Sequence, residues 1–226
     1  FVGSALMFVA LLYLRLHAGS FEITKFYTLH MSMTIQVLIF LAFFAAFAVK
    51  VPMWPFHTWL PDAHTEAPAG GSVVLAALML KMGIYGFIRF SMPIVPNANQ
   101  SLDWLMIVLG LFAIVYVAYL AIAQTDMKRL IAYSSIAHMG FAVLGCFLVY
   151  SIIGMTGNYQ DAYLSFEGAV VQMISHAFGS GAMFLGVGVL YDQMHSRMIK
   201  DYSGVASKMP VFAAFFMLFA MSNVGL

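Results

Sequence analysis

Apolar residues along this chain are grouped into long runs that are separated by short polar stretches. An α-helix needs about 20 apolar residues to cross a bilayer, so runs of that length predict transmembrane helices. The runs lie at 1–16, 32–50, 69–90, 102–123, 130–150, 164–191 and 210–226. The pattern predicts an all-α polytopic membrane protein, with about seven transmembrane helices in one domain spanning 1–226. The polar, glycine-bearing stretch 154–163 is expected to be a loop.

Prolines interrupt the second of these runs. Lys50 is followed by Pro52, and the sequence is apolar again through 54–60 before the polar turn PDAHTEAPAGG at 61–71. Proline lacks a backbone donor and clashes with the preceding helical turn, so a broken helix is predicted near 50–55. The motif FF-x-x-FA occurs in 43–52 and again in 215–226. A second broken helix is expected to begin in the run 210–226, which contains the second copy. Such a pair is typical of inverted repeats.

Composition agrees with a lipid environment. Hydrophobic residues make up 63% of the 226 residues and charged residues 8%, whereas soluble domains carry about 25% charged residues. A formal net charge of +1 argues against nucleic acid as a partner, because such binding requires a basic surface. Cys146 lies in an apolar run and is interpreted as a packing residue. The sequence has no P-loop, dinucleotide fingerprint, CxxC or haem motif, so no cofactor site is predicted in this chain.

The distribution of basic residues predicts an orientation. Five lysines and arginines lie in the links 125–129 and 192–208, and three lie in the links at the opposite ends of the helices. Because cytoplasmic loops are enriched in these residues, the links with five are placed in the cytoplasm or the mitochondrial matrix.

Two lysines within apolar segments are the strongest functional signal. Lys81 lies about 18 Å from the start of the run 69–90 and about 14 Å from its end, at 1.5 Å per residue. It is therefore too deep to reach either interface easily, and an ionisable residue at that depth is a functional hypothesis unless a fixed ion pair neutralises it. Lys50 lies at the proline break, where it either reaches an interface or lies within a longer span. Together the two lysines suggest an ion path.

Two histidines lie in polar stripes on neighbouring helices. Residues four apart share a helix face, so Gln172, His176 and Ser180 form one stripe. The helix 130–150 carries a second stripe, which consists of Ser134, Ser135 and His138. Because the pKa of histidine is near neutrality, these positions are candidates for proton relay, the alternative being hydrogen-bonded structural residues.

The break and the turn contain further ionisable residues, namely His57, Asp62, His64 and Glu66. They lack a regular metal-ligand spacing such as HExxH, so no metal site is predicted. We interpret these residues as lining a route for water, and His57 is the strongest candidate among them.

Long stretches of the sequence resemble a known family. The stretches are KVPMWPFHTWLPDAHTEAPAGGSVVLAALMLKMGIYGFIRF, QTDMKRLIAYSSIAHMGF and EGAVVQMISHAFGSGAMFLGVGVLYDQMHSRMI. They resemble the antiporter-like membrane subunits of proton-pumping NADH:quinone oxidoreductase (respiratory complex I), and among these the subunit M (mitochondrial chain 4) family. The chain departs from that family at 66–73, where it reads EAPAGGSV and the family usually has EAPTAGSV.

The resemblance implies a fold of fourteen transmembrane helices with two inverted five-helix repeats, each containing a broken helix. The chain begins with Phe1 and stops within an apolar run at Leu226, so we expect an internal piece of a longer protein. By the resemblance it starts near the sixth helix and ends within the twelfth.

The resemblance also implies a mechanism of proton translocation through a buried chain of lysine, histidine and water. Lys50, Lys81, His138 and His176 match the family's proton-path residues, and His57, Gln172, Ser134 and Ser135 would support them or give access to water. Quinone reduction elsewhere in the complex would drive transport. NADH, FMN, iron–sulfur clusters and quinone would be bound by other subunits, and this chain would contact other membrane subunits, including neighbouring antiporter-like ones. The bacterial inner (plasma) membrane is the implied location, ahead of the mitochondrial inner membrane.

Three other functions fit parts of the sequence. A sibling subunit of a multisubunit sodium/proton antiporter or of a membrane-bound hydrogenase would carry the same lysines, and sodium dependence would distinguish it. In a purely structural membrane subunit, neutral replacements of the lysines would reduce assembly and leave transport per complex unchanged. A solute carrier would show saturable uptake of an organic substrate.

Overall fold

The computed structural model describes residues 1–225; Leu226, which belongs to the predicted helix 210–226, lies outside the described residues. Almost all of the described chain is helical, and its only β-type pairing is an isolated bridge between Asp126 and Met198. The helices in chain order are α1 (Val2–Ala18), α2 (Ile23–Phe26), α3 (Met33–Lys50), α4 (Trp59–Glu66), α5 (Ala69–Ile94), α6 (Pro96–Ser101), α7 (Asp103–Ile122), α8 (Met127–Thr156), α9 (Tyr159–Met194), α10 (Val205–Lys208) and α11 (Pro210–Val224).

Five of these helices, α3, α5, α7, α8 and α9, are long and apolar enough to cross a membrane, and α1 and α11 are shorter apolar helices. Many large apolar side chains on these helices face outward and are exposed in the isolated chain. Outward-facing apolar side chains are what lipid or neighbouring transmembrane helices require. The predicted all-α, polytopic membrane fold is confirmed.

Backbone rearrangement follows the end of α3. The N–H of Met53 donates to the carbonyl of Ala48 at 2.9 Å, because Pro52 has no N–H to continue the helical ladder. The indole N–H of Trp59, at the start of α4, donates to the carbonyl of Val49 at 3.0 Å. A side chain from beyond the break therefore satisfies a carbonyl that the end of α3 leaves free.

Helix α5 packs closely against the end of α3. A Cβ atom added to Gly83 would lie 2.5 Å from Cγ2 of Val51, and one added to Gly86 would lie 2.4 Å from the ring of Phe47. Only glycine allows this approach. Two π-helical turns, Leu75–Met79 and Phe87–Ser91, interrupt the α-helical ladder of α5; such turns are frequent at functional sites.

The prediction that 154–163 forms a loop is wrong, because α8 and α9 extend through most of this range. Only two residues separate the helices. Gly157 has a left-handed backbone, with φ 65°, and ends α8. The side chain of Asn158 accepts hydrogen bonds from the N–H groups of Gln160 and Asp161 at the start of α9. Glycine tolerates this backbone conformation and asparagine is a strong N-cap, so two residues suffice to reverse the chain.

Helices α8 and α9 pack along one another and so bring the two polar stripes together. Gly145 lies against α9, where an added Cβ would be 2.9 Å from the carbonyl of Ser165. The Ser165 hydroxyl donates to the carbonyl of Gly145 at 2.9 Å. Because side chains are small at this crossing, the histidines further along both helices can approach each other.

Basic side chains join three connections at one end of the molecule. Lys128, at the start of α8, donates to the carbonyl of Ala67 at 2.7 Å, and Arg129 pairs with Asp62 at 2.7 Å. Arg197, in the link after α9, donates to the carbonyl of Thr65. The α4–α5 turn, the α7–α8 link and the α9–α10 link therefore lie on one face, which we call the basic face. Its placement in the cytoplasm or matrix stays a prediction.

Candidate functional site

Lys81 lies midway along α5 and points towards α9. Its Nζ atom donates to the carbonyl of Ala76 at 2.5 Å and lies 2.6 Å from Nδ1 of His176. Ala76 belongs to the π-helical turn Leu75–Met79. The lysine expected to lie at membrane depth is therefore hydrogen-bonded to a histidine of another helix.

His176 is almost fully buried, with 4% of its surface exposed. The hydroxyl of Ser180, one turn later in α9, donates to the carbonyl of His176 at 2.5 Å and lies 3.4 Å from Nδ1. Because Nδ1 faces the ammonium donor of Lys81, a neutral ring carries its hydrogen on Nε2. The Nε2 atom has no hydrogen-bond partner among residues 1–225.

His138 of α8 is the next ionisable group beyond His176. The centroids of the two rings are 5.4 Å apart. The side-chain amide of Gln172 donates to Nδ1 of His138 at 3.0 Å, so a neutral His138 ring also carries its hydrogen on Nε2. The structure thus brings together four of the residues expected from the sequence: Lys81, His176, His138 and Gln172.

A cavity of about 250 Å³ lies beside the two histidines. Its polar lining combines Gln172 and Ser175 of α9 with Ser222 and Asn223 of α11. The sequence pattern did not predict the two α11 residues as part of a site. The sequence nevertheless contained a clue to this region. When the two FF-x-x-FA motifs are aligned, Ser222 occupies the position of Lys50.

The serine pair of α8 is arranged differently from the histidines. The hydroxyls of Ser134 and Ser135 both donate to the carbonyl of Ile131, at 2.9 and 2.8 Å. Ser134 additionally accepts from the amide of Asn223 at 3.4 Å. Local bonding occupies both serine donors, and Ser134 links α8 to the same part of α11 that lines the cavity.

Lys50 is the last residue of α3 and is exposed. It lies in a pocket shared with residues of α1 and with Trp59. Its amino group makes no hydrogen bond or ion pair with any residue in the described part of the chain, Lys81 included. A role for Lys50 in the proton path stays a prediction.

The break region holds two buried histidines. His57 is 5% exposed, and its Nδ1 atom lacks a partner within residues 1–225. His64 belongs to α4, outside the five spans, and is fully buried. Burial, followed by the positive charge of Lys128, lowers the pKa of His64 to about 4. Neither histidine bonds to Lys81. In the described part of the chain, no three His, Cys, Asp or Glu side chains are grouped as a metal ion would require.

The geometry supports one kind of chemistry. A lysine ammonium 2.6 Å from an imidazole nitrogen can transfer a proton to it, giving a neutral amine and an imidazolium, and the reverse step restores both. The ring of the second histidine lies 5.4 Å further on, measured between ring centroids. The arrangement is therefore a series of neighbouring titratable groups running from α5 through α9 to α8.

Comparisons with known proteins agree with this architecture. Residues 1–226 match the family described as NADH:quinone oxidoreductase/Mrp antiporter, TM. The chain is 48% identical to the NADH-quinone oxidoreductase subunit M of Rhodobacter capsulatus, over 100% of the chain and 44% of that protein. It is 44% identical to the NADH-ubiquinone oxidoreductase chain 4 of Chondrus crispus, over 99% of the chain and 43% of that protein.

A solved structure shows the same fold. A chain of the respiratory complex I of Thermus thermophilus with bound NADH superposes with a TM-score of 0.89 at 31% identity, covering 100% of this chain and 46% of that one. The chain thus spans less than half the length of these relatives. It belongs to the NADH:quinone oxidoreductase/Mrp antiporter transmembrane family.

Proposed function

We propose that this chain forms the central part of a proton-translocating, antiporter-like membrane subunit of NADH:quinone oxidoreductase. The contact between Lys81 and His176, at 2.6 Å, carries the proposal. An ammonium group is costly to insert at membrane depth, and an imidazole accepts its proton without a change in the heavy-atom framework.

Transport would proceed through alternate protonation of the buried groups. Lys81 gives a proton to Nδ1 of His176, and the imidazolium releases the proton from Nε2, which is the atom left without a partner among residues 1–225. His138, with its ring centroid 5.4 Å away, would accept the proton through water at Nδ1 when the hydrogen bond from Gln172 to that atom opens. The polar cavity beside Gln172 and Asn223 would hold that water and continue the path towards α11.

Lys50 would supply the change in charge that drives this chain. It ends α3 at the break and is exposed in the chain as described, so a partner from a preceding helix of the full-length subunit has access to it. Approach or withdrawal of a carboxylate would change the charge state of Lys50 and bias the transfer towards Lys81. His57, buried next to the break, would line the route for water.

The subunit would work inside a larger assembly. Other membrane subunits, including neighbouring antiporter-like ones, would cover its exposed apolar faces. NADH, FMN, iron–sulfur clusters and quinone would be bound by other subunits, and quinone reduction there would drive transport here. We place the protein in a bacterial inner membrane, since the Rhodobacter relative shares 48% identity; the Chondrus chain 4 relative, at 44%, makes the mitochondrial inner membrane the second choice.

Sodium/proton exchange is the alternative, because the family description names the Mrp antiporter as well. Identities of 48% and 44% to oxidoreductase subunits favour the oxidoreductase. A dependence of transport on sodium would reverse this preference.

The experiment uses the full-length subunit in its assembled complex, reconstituted in sealed vesicles. NADH oxidation and proton uptake are recorded together, with and without sodium, for wild type, Lys81→Ala and Lys50→Ala. Because the lysines relay protons, both rates should fall about tenfold or more while the complex still assembles. Wild-type pumping per complex would show that the lysines are structural charges.

A further inference from the structure

A polar cavity of about 520 Å³ lies at the membrane face opposite the basic face. It is lined by the link between α2 and α3, by the start of α3 and by the connection between α5 and α6. Helix α5 begins beside the basic face, where Lys128 binds the carbonyl of Ala67, and ends at Ile94, which lines this cavity. The 18 residues of α3 rise about 27 Å, which is close to the thickness of the hydrocarbon core of a bilayer. The cavity therefore lies at the level of lipid head groups.

The start of α3 supplies free hydrogen-bond donors at this cavity. The N–H groups of residues 33–35 have no hydrogen-bond partner among residues 1–225, and the hydroxyl of Ser32 does not cap them. Such groups, at the positive end of a helix dipole, favour an anion. His30 and Asn97 also line the cavity and can add side-chain donors. None of the nine residues that line it is acidic, so no carboxylate in the lining repels an anion.

A buried glutamine adds an acceptor that has no partner. Gln36, in the first turn of α3, lines the same cavity and has 6% of its surface exposed. Its Nε2 atom donates to the carbonyl of Met31 at 3.1 Å, but its Oε1 atom has no hydrogen-bond partner among residues 1–225. Buried polar atoms are nearly always hydrogen-bonded, so this exception points to a ligand that carries a donor. The terminal torsion of glutamine is soft, so Oε1 can turn towards a donor in the cavity.

An apolar groove leads from the same end of α3 into the membrane. It has a volume of about 290 Å³ and lies between α1 and α3, where its α3 side consists of Ile35, Leu38, Ile39 and Ala42. The first of these residues directly precedes Gln36. The site therefore presents donors and an acceptor at head-group level and an apolar groove deeper along the same helix. This combination suits an amphiphile better than a free phosphate ion.

We propose that the start of α3 binds a phosphatidylethanolamine molecule. The phosphate accepts from the free N–H groups of 33–35, the ammonium donates to Oε1 of Gln36, and one acyl chain lies in the groove between α1 and α3. A hydrogen bond from an ammonium is about twice as strong as a neutral one, which favours ethanolamine over the hydroxyls of a glycerol head group. A choline head group has the same phosphate but no N–H to donate. The proposal is independent of the proton path, because Lys81 and the residues that it contacts are not part of this site.

The test uses the full-length subunit in its assembled complex, reconstituted in phosphatidylcholine vesicles. The vesicles contain a trace of phosphatidylethanolamine with a photoreactive diazirine on one acyl chain, and a matched phosphatidylcholine probe measures labelling by bulk lipid. After illumination, mass spectrometry gives the labelled fraction of the tryptic peptide 26–50, which contains the whole of α3. The ethanolamine probe should label this peptide about tenfold more than the choline probe, as expected for one hydrogen bond to a charged group.

Substitutions of Gln36 test the contact with the ammonium. Gln36→Met keeps the length of the side chain but removes the acceptor, so it should abolish the preference for the ethanolamine probe. Gln124→Met is the matched control, because Gln124 also donates to a backbone carbonyl, at 2.8 Å, but lies in the α7–α8 link at the basic face; it should retain the preference. Gln36→Glu keeps an acceptor and adds a negative charge, so it should still bind the ethanolamine probe and should exclude a phosphatidylglycerol probe.

Equal labelling of 26–50 by the ethanolamine and choline probes in the wild type would overturn the proposal, as would an unchanged preference in Gln36→Met. If Gln36→Met does not assemble, Gln36→Glu decides the matter, and its equal labelling by the ethanolamine and glycerol probes would contradict the contact. Displacement of the probe by inorganic phosphate would assign the site to a free anion. Labelling of the isolated subunit but not of the assembled complex would assign it to a neighbouring subunit. Both of these outcomes also overturn the proposal, and none of them depends on whether the subunit transports protons.

Discussion

The amino group of Lys81 and Nδ1 of His176 lie 2.6 Å apart, although the two residues are 95 positions apart in the chain. One hydrogen joins the two atoms, because the ammonium group donates and the neutral ring accepts. The contact links the middle of α5 to the middle of α9, both of which are helices long and apolar enough to cross a membrane. Both helices therefore depend on each other for the chemistry of the site.

Replacing His176 with Gln should separate hydrogen bonding from proton relay. The amide oxygen of His176→Gln can accept from Lys81, but an amide cannot carry the proton onward. We expect assembly to be retained and proton uptake in vesicles to fall about tenfold or more. Ser180→Ala is the control, since it removes a hydroxyl that donates to the carbonyl of His176 and leaves the ring in place. Equal losses in the two variants would mean that packing in α9, and not proton relay, sets the rate.

Adding a methyl group to Gly83 should weaken the packing of α5 on α3. The new Cβ would lie 2.5 Å from Cγ2 of Val51 and 3.0 Å from the carbonyl of Phe47, so Gly83→Ala should lower the free energy of unfolding by about 1–3 kcal/mol. Thermal unfolding of the purified full-length subunit in detergent measures this. Gly168→Ala is the matched control within α9, since nothing lies within 4 Å of the added Cβ. A Gly83→Ala protein as stable as the control would contradict the close contact of the two helices.

Asp126 should stabilise the start of α8 in two separable ways. Its carboxylate accepts from the N–H groups of Lys128 and Arg129 at 2.8 and 3.2 Å, and it lies 3.5 Å from the guanidinium of Arg197. Asp126→Ala removes both contributions and should cost about 1 kcal/mol of stability or more. Asp126→Asn keeps the cap and loses only the ion pair, so it should cost less. Identical unfolding temperatures for the two variants would show that the cap contributes nothing.

Docking of α4 should weaken as the pH falls. Burial and the charge of Lys128 lower the pKa of His64 to about 4, whereas an exposed histidine titrates near pH 6.5. A depressed pKa means that the buried state binds fewer protons than the open state between these values. The stability is therefore fully present above about pH 6.5 and is lost progressively as the pH falls towards about 4.

Hydrogen–deuterium exchange of residues 59–66 measures this effect. Protection, corrected for intrinsic exchange rates, should fall about tenfold between about pH 7.5 and about pH 5.5. His64→Gln removes the titrating ring and should abolish that dependence, while leaving the other charged groups near the ring unchanged. Those groups are Asp62 and Glu66 of α4, Lys128 of α8 and Arg197 of the following link. The same pH dependence in the variant would assign the effect to one of these groups.

Local sequence determined the approximate places of the long apolar helices. In a bilayer, a helix satisfies its backbone hydrogen bonds within its own segment. The apolar runs and the prolines after Lys50, which influence the backbone over one or two turns, therefore suffice to predict where helices form. The prediction of a loop at 154–163 was wrong because Gly157 and Asn158 cap two helices without further residues. Polar residues alone do not distinguish a long loop from the exposed ends of two helices.

Sequence by itself also determined that Lys81, His138, His176 and Gln172 are chemically unusual for their surroundings, because ionisable and polar groups are costly within a bilayer. Only the tertiary structure decided which of them meet. Packing of α5, α8 and α9 brings Lys81 within hydrogen-bonding distance of His176 and Gln172 within hydrogen-bonding distance of His138. Lys50 stays exposed. The same packing encloses His64 against Phe184, a pair separated by 120 positions. Contacts between distant residues depend on the crossing of whole helices, and the local pattern carries no information about such crossings.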